Sequence, residues 1–405
     1  MDYPQAIAWL YDCQQRGIKL GLENTRNLLG ELGVDPSPAQ RPRYLHVAGT
    51  NGKGSVCAML DSICRKQGYR TGLFTSPHLI SFRERIQIDG EMIEENDAAA
   101  GLSKIRGIVS DWETHPTFFE ITTALALEYF QRKQVDVAVL ETGMGGRLDA
   151  TNAIWPAVSV ITPIDLDHQA WLGSTLAAIA AEKAGIIKPG VPVVSAPQHE
   201  EVAAVLRSVA PDICFVTKPL KAFPIALAGS HQEWNAALAV EALNAAQFAV
   251  DERGIRLGLQ TVSWPGRFQV LAERFVLDGA HNEAAARQLA HIWEEKYDHE
   301  KATVILGVLS DKDLRAICRE LMPVGATFIA TRVRSPRSFS AEEIAADIKK
   351  IDPAMTCEIA GDMAAAISAA KNRPHRILIT GSLFLVGEAL SILEPGRLAP
   401  EFSSQ

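Results

Sequence analysis

Short runs of β-branched and aliphatic residues alternate with longer stretches of helical period along nearly the whole chain. That alternation admits few folds other than parallel sheets covered by helices. In the first half the strand candidates are 44–48, 135–140, Val158–Ile161 and 191–194. Residues 56–67 place Val56, Met59, Leu60, Ile63 and Cys64 near one face at helical spacing. A second alternation begins after Trp264-Pro265-Gly266-Arg267, with strand candidates Phe275–Leu277, 304–306, 327–330 and 376–379. Pro-Gly is a turn signal, and 405 residues exceed the usual reach of one core. Two α/β domains are therefore expected, at 1–265 and 266–405.

Composition narrows the function classes. A formal net charge of −8 disfavours a general nucleic-acid surface, so any anion site has to be local. The six cysteines show no CxxC pair or zinc spacing and read as buried free thiols. No apolar run approaches the ~20 residues of a membrane span, and no basic segment followed by an apolar core opens the chain. A cytoplasmic protein with small-molecule partners, no nucleic acid and no membrane is the expectation, with a monomer as the default.

The run His46-Val47-Ala48-Gly49-Thr50-Asn51-Gly52-Lys53-Gly54-Ser55 follows a strand candidate and opens a helix. Glycines there let backbone N–H groups approach phosphate oxygens, and a helix N-terminus adds favourable potential. Lys53 would hold the terminal phosphates and the Ser55 hydroxyl would reach Mg²⁺. The spacing departs from G-x-x-x-x-G-K-[ST]: Gly49 and Gly52 stand closer together, and Gly54 intervenes before Ser55. Taken alone, the run says "nucleotide", and a glycine-rich turn with a solvated lysine is the plain alternative.

The form T-N-G-K-G-[ST] resembles the loop of the folylpolyglutamate synthases and the wider Mur-type amide ligases. Thr75-Ser76-Pro77-His78-Leu79, the run from Glu141 to Asn152, and Asp165-Leu166-Asp167-His168 extend the resemblance. It implies a doubly wound, P-loop ATPase-like N-terminal domain and a smaller Rossmann-like α/β C-terminal domain. It also implies that Thr50, Asn51, Gly52, Lys53, Gly54 and Ser55 hold ATP, while Ser55, Ser76, Glu141 and His168 hold Mg²⁺. Thr117-Phe118-Phe119-Glu120 resembles the family's T-F-F-E segment, and the early run Gly17, Ile18, Lys19, Leu20 its G-L loop. With Leu148, Asp149 and Ala150, these would bind a pteroate.

Further along, His231-Gln232-Glu233-Trp234-Asn235-Ala236, Pro265-Gly266-Arg267 and Asp278-Gly279-Ala280-His281-Asn282 resemble the H-Q-x-x-N-A, P-G-R and D-G-A-H-N motifs. The resemblance puts Asn235, Arg267 and Asp278 around ATP. One departure is Glu283, where the family commonly has proline; it reads as a changed helix start. Lys183 matches a lysine that the family can carry as an N-carboxy derivative, so that Lys53, His168 and Lys183 are the catalytic expectation. On its own, Lys183 reads as a helix-surface lysine in an alternating Glu-Lys stretch.

The implied activity is ATP-dependent ligation of L-glutamate to a folate or dihydropteroate carboxylate through an acyl phosphate. This is folylpolyglutamate synthase chemistry with dihydrofolate synthase activity as well. Another Mur-type amide ligase with a different acyl acceptor is the nearest rival. A non-enzymatic nucleotide switch would need only the phosphate loop.

Overall fold

The computed structural model describes residues 1–17, 21–37, 40–396 and 401, so Ile18, Lys19 and Leu20 lie outside the described residues. The chain divides into two compact units: Met1–Pro77, Phe82–Ala226 and His231–Ser263 in the first, and His78–Ser81, Leu227–Ser230 and Trp264–Gln405 in the second.

The first unit is built on eight strands: β1 (Arg43–Ala48), β2 (Thr71–Phe74), β3 (Ile86–Ile88), β4 (Glu91–Met92), β5 (Val137–Glu141), β6 (Val158–Ile161), β7 (Val193–Ser195) and β8 (Cys214–Phe215). They lie in the order β4-β3-β2-β5-β1-β6-β7-β8. The six strands from β2 to β8 in that order are parallel, and β3 and β4 extend the sheet antiparallel. Helices on both faces bury the strands on both sides, which is why β5 reads Val-Ala-Val-Leu without alternation. The chain goes from β1 to one side of the sheet and returns with β6 on the other. Doubly wound sheets bind ligands at such a reversal, outside the carboxyl ends of the strands. The helix Lys53–Lys66 leaves β1 at that point and is buried from Gly54 to Cys64.

The second unit carries β9 (Gln269–Leu271), β10 (Phe275–Leu277), β11 (Ala302–Leu306), β12 (Gly325–Ala330), β13 (Cys357–Ile359) and β14 (Arg376–Thr380), in the order β13-β12-β11-β14-β10-β9. All are parallel except β9, which pairs antiparallel with β10. The carboxyl ends of β10, β14, β11 and β12 therefore share one edge. Expected strands are found within one to three residues of the predicted ends. Strands β2, β3, β4, β8, β9 and β13 were not expected; at two to four residues each they carry no clear period. Among the described residues no helix is long and apolar enough to cross a membrane.

The helix Phe118–Arg132 starts with a capping box: Thr117 Oγ1 accepts from Glu120 N–H, and Glu120 Oε2 accepts from Thr117 N–H at 2.7 Å. Phe118 then enters the core, 3% exposed, stacked on Tyr11 and edge-on to Phe82. Phe118→Ala is accordingly expected to lower unfolding free energy by about 3–5 kcal/mol in a denaturant melt. An unchanged melt would remove Phe118 from the core.

Candidate active site

The phosphate loop is held from below by the turn that follows β6. Thr50 and Asn51 donate their backbone N–H groups to the Pro163 carbonyl at 2.9 and 3.3 Å, and Thr50 Oγ1 both donates to and accepts from the Asp165 backbone at 3.0 Å. In this structure those two amides are engaged by the protein itself. Besides the amide of the N-cap Gly52, those of Lys53, Gly54 and Ser55 in the first turn of the helix have no intrahelical acceptor. Gly49 has no alternative: its φ is +148°, and a Cβ there would sit 1.8 Å from Thr162 Oγ1.

Two lysines converge on one oxygen of this loop. Lys53 Nζ donates to the Gly49 carbonyl at 3.2 Å and to that of Thr50 at 3.3 Å, while Lys183 Nζ donates to the same Gly49 carbonyl at 2.6 Å. Lys183 is only 4% exposed, so the surface reading of its Glu-Lys stretch does not hold. Burial, with the Lys53 charge adding to it, lowers its pKa from the usual 10.5 to about 7; Asp167 and Asp149 act in the opposite direction. Its helix, Leu176–Ala184, comes close because Gly146 lacks a side chain: a Cβ there would meet the Glu182 and Lys183 carbonyls at 2.9 Å. Gly146 thus serves helix approach.

Glu141 ends β5 at the same edge of the sheet, 5% exposed, and accepts from the Ser76 N–H at 3.2 Å just beyond β2. His168 follows β6 in a left-handed conformation, φ +49°, half exposed, with Nε2 3.9 Å from Asp167 Oδ2. Ser55 Oγ lies 3.5 Å from Gln232 Nε2, and Gln232 Oε1 accepts from Asn235 Nδ2 at 2.9 Å. Sequence reasoning picked Asn235 and missed Gln232, although the H-Q-x-x-N-A run contains it. No group of three His, Cys, Asp or Glu able to hold a metal exists among the described residues. Glu141 and the hydroxyls of Ser55 and Ser76 are the oxygen donors that Mg²⁺ favours, alongside waters and substrate phosphate, whereas the His168 imidazole is an unusual ligand for it.

In the second unit Asp278 follows β10, and its two oxygens accept from the Phe268 and Ala280 N–H groups at 2.8 Å each. Burial raises its pKa against the pull of Arg267, which is half-buried beside it. Asp278 therefore fixes the backbone that carries Arg267.

The comparisons with known proteins agree with this arrangement. Residues 47–196 match the Mur ligase middle domain and residues 267–392 the dihydrofolate synthetase C-terminal domain. The Bacillus subtilis dihydrofolate synthase/folylpolyglutamate synthase is 33% identical over 424 residues, covering 95% of this chain and 98% of the relative. The chain belongs to the dihydrofolate synthase/folylpolyglutamate synthase family. Two solved members extend the likeness to structure. Escherichia coli FolC in complex with DHPP and ADP has a TM-score of 0.88 at 30% identity, covering 98% of this chain and 99% of that one. The bifunctional Yersinia pestis enzyme complexed with AMPPNP and Mn ion has a TM-score of 0.85 at 29% identity, covering 97% and 98%.

For a member of this family the acceptor segments are more committed to the fold than their motifs suggest. Thr117 and Glu120 are engaged in capping and Phe118 is buried in the core. Phe119 is the half-buried member of the pair, close against Gly143. Asp149 Oδ1 accepts from Thr151 N–H at 3.0 Å and from its hydroxyl at 2.5 Å, and Oδ2 accepts from Met144 N–H at 2.9 Å. Thr151 Oγ1 then lies 2.8 Å from Nε2 of His46 in β1. Burial drives the His46 pKa down to about 3, so its ring is neutral and donates through Nε2. This His46-Thr151-Asp149 chain ties the strand of the phosphate loop to the Leu148, Asp149, Ala150 turn, and nothing in the sequence signals it. Leu148 is half-buried, Ala150 buried and Gly17 exposed. The family's missing proline at Glu283 is offset by Asn282, whose Oδ1 accepts from Ala285 N–H at 2.9 Å and caps the helix Glu283–Tyr297.

Proposed function

We propose that this chain joins L-glutamate to the carboxylate of dihydropteroate or a folate, with ATP as phosphoryl donor. The observation that carries the reading is the convergence of Lys53 and Lys183 on the Gly49 carbonyl, beside Glu141 at the carboxyl edge of the sheet. A free carboxylate is a poor electrophile. Its oxygen attacks the γ-phosphorus, the bond to the ADP oxygen breaks, and an acyl phosphate forms. The glutamate amine, after losing a proton, attacks the acyl carbon and expels phosphate.

Such transfer depends on positioning and on neutralising charge over the phosphoryl oxygens. Lys53 and the first-turn amides of its helix supply that charge, and Arg267 is a further cation assigned to ATP. Mg²⁺, when held by Ser55, Ser76, Glu141 and His168 with the nucleotide, neutralises phosphate charge. Thr50 and Asn51 hold the loop in shape, and Gln232 and Asn235 support Ser55. Phe119, Leu148 and Ala150 line the acceptor side, with Asp149 as their brace. Lys183, poised near neutrality, adds CO₂ to its uncharged amine and becomes a carbamate with release of a proton. Residues 1–265 serve ATP and acceptor, and 266–405 serve glutamate. A single chain supplies every residue assigned, the partners are small molecules, and an ATP supply is consistent with a cytoplasmic enzyme.

Product mass spectrometry with dihydropteroate and tetrahydrofolate offered separately is expected to show one added glutamate on the first and one or more on the second. ADP release should require glutamate and acceptor together. A nucleotide switch would release ADP with neither, and another Mur-type ligase would ignore both acceptors.

A further inference from the structure

His46 stands in β1, three residues before Gly49 of the phosphate loop, and is wholly buried. An aliphatic residue would fill a strand buried on both faces without the cost of taking a polar ring out of water. What the imidazole adds is one directed hydrogen bond. Both oxygens of Asp149 accept, one from the Thr151 hydroxyl and N–H and the other from the Met144 N–H. The Thr151 hydroxyl has a single proton and gives it to Asp149 at 2.5 Å, so its oxygen is left to accept from His46 Nε2 at 2.8 Å. Nδ1, on the far side of the ring, is buried with no hydrogen-bond partner among the described residues. The polar contact of the ring is thus with Thr151 alone, as the Nε2–H tautomer.

Position in the chain would assign His46 to the nucleotide, yet its hydrogen bond runs the other way. The phosphate loop takes its support from Pro163 and Asp165, after β6. The chain from His46 ends instead at Met144, in the loop between β5 and the turn Ala150–Ala153. That loop is closely packed. A Cβ on Gly143 would stand 2.6 Å from the Phe119 ring, one on Gly145 2.9 Å from Leu172 Cδ2, and one on Gly146 2.9 Å from the Glu182 and Lys183 carbonyls. Phe119 belongs to the acceptor side, and interiors packed this closely pass a shift of one part on to its neighbours. Without the His46 bond the Thr151 hydroxyl is free to turn, Asp149 loosens its hold on the loop, and the seat of Phe119 moves with it.

We propose that His46 is a positioning residue for the acyl acceptor, acting through Thr151 and Asp149 on the loop that seats Phe119. The inference rests on the ligase reading above. It divides one strand and its loop by role: Lys53 and Ser55 serve the nucleotide, while His46, just upstream, serves the acceptor.

The test measures equilibrium binding of dihydropteroate, and separately of AMPPNP with Mg²⁺, to the native protein and to His46→Leu, His46→Gln and Thr151→Val variants. In His46→Leu the acceptor affinity is expected to fall about tenfold, the effect of removing one buried hydrogen bond and leaving its partner unsatisfied. Nucleotide affinity should stay within about twofold of native, as for independent sites. His46→Gln, whose side-chain amide can donate in place of Nε2, should bind acceptor nearly as the native protein does. Adding Thr151→Val to His46→Leu should weaken binding little further, because both cut the same chain. Where a variant does not fold, nitrogen NMR of the native imidazole decides. Nε2 should be protonated and Nδ1 bare, with resonances that move when dihydropteroate is added and stay when AMPPNP is added. Nucleotide affinity falling as far as acceptor affinity, Gln failing to restore what Leu loses, additive losses, the opposite tautomer, or resonances that answer to nucleotide alone would overturn the proposal. Native protein that binds no pteroate fails the ligase reading and this inference with it; native binding left intact by His46→Leu sinks this inference alone.

Discussion

A Lys53→Ala protein is expected to fold normally and to turn over at least about a hundredfold more slowly, the loss typical of removing one preorganised electrostatic partner. The fold tolerates the change because Lys53 is a half-buried first-turn residue whose ammonium touches only the Gly49 and Thr50 carbonyls. The chemistry does not tolerate it, because charge grows on the phosphoryl oxygens as the acceptor carboxylate attacks. Thermal melting and steady-state ADP release, measured on the same preparation, separate the two effects. Near-normal turnover in a folded Lys53→Ala protein would exclude the assigned role.

Lys183→Ala is expected to be comparably damaging, and to be partly rescued by a short carboxylic acid such as formate or acetate placed where the carbamate would stand. Stability should move the opposite way at low pH. The lysine titrates near 7 in the fold and near 10.5 when exposed. Below about 7 it is charged in both states and burial of the ammonium opposes folding in full. From about 7 to 10.5 the unfolded chain binds the proton and the folded one does not, so stability rises with pH. In CO₂-free buffer a Lys183→Met variant should therefore outlast the native protein in denaturant near pH 6 and lose that advantage toward pH 10. Full activity of Lys183→Ala, or a stability difference flat with pH, would contradict this account.

Much of this was readable because glycine, lysine and serine sit between a strand and a helix only for a few reasons. The β1 strand, its loop and the helix Lys53–Lys66 follow from that run alone. What escaped is instructive. Thr50 and Asn51 look like phosphate donors until Pro163, more than a hundred residues away in sequence, takes up their amides. Lys183 looks like a surface residue because its inward direction depends on Gly146 letting one helix approach a loop. Phe118 and Phe119 are chemically alike, and only tertiary packing assigns one to the core and leaves the other half-buried. Gln232 and His46 announce nothing, since a polar residue at a helix start or in a strand is ordinary until its partner is seen. The second-unit strands were found where they are buried and aliphatic, and missed at β9 and β13, where Gln269 with an exposed Val270, and Glu358 with an exposed Ile359, break the pattern.

The chain enters its second unit through that same β9, an edge strand of three residues held by β10 alone. Arg267 and Phe268 immediately precede it, and Asp278 at the end of β10 clasps the Phe268 amide. The unit is thus fastened like a zip with its slider at the end that carries Arg267. Strain or mild denaturant arriving along the backbone from Ser263 undoes β9 first and carries Arg267 away, while β10 to β14 and the buried Trp293 remain in place. With Arg267 in the role proposed for it, loss of activity and global unfolding are expected as separate events, the former reversed when three residues re-pair.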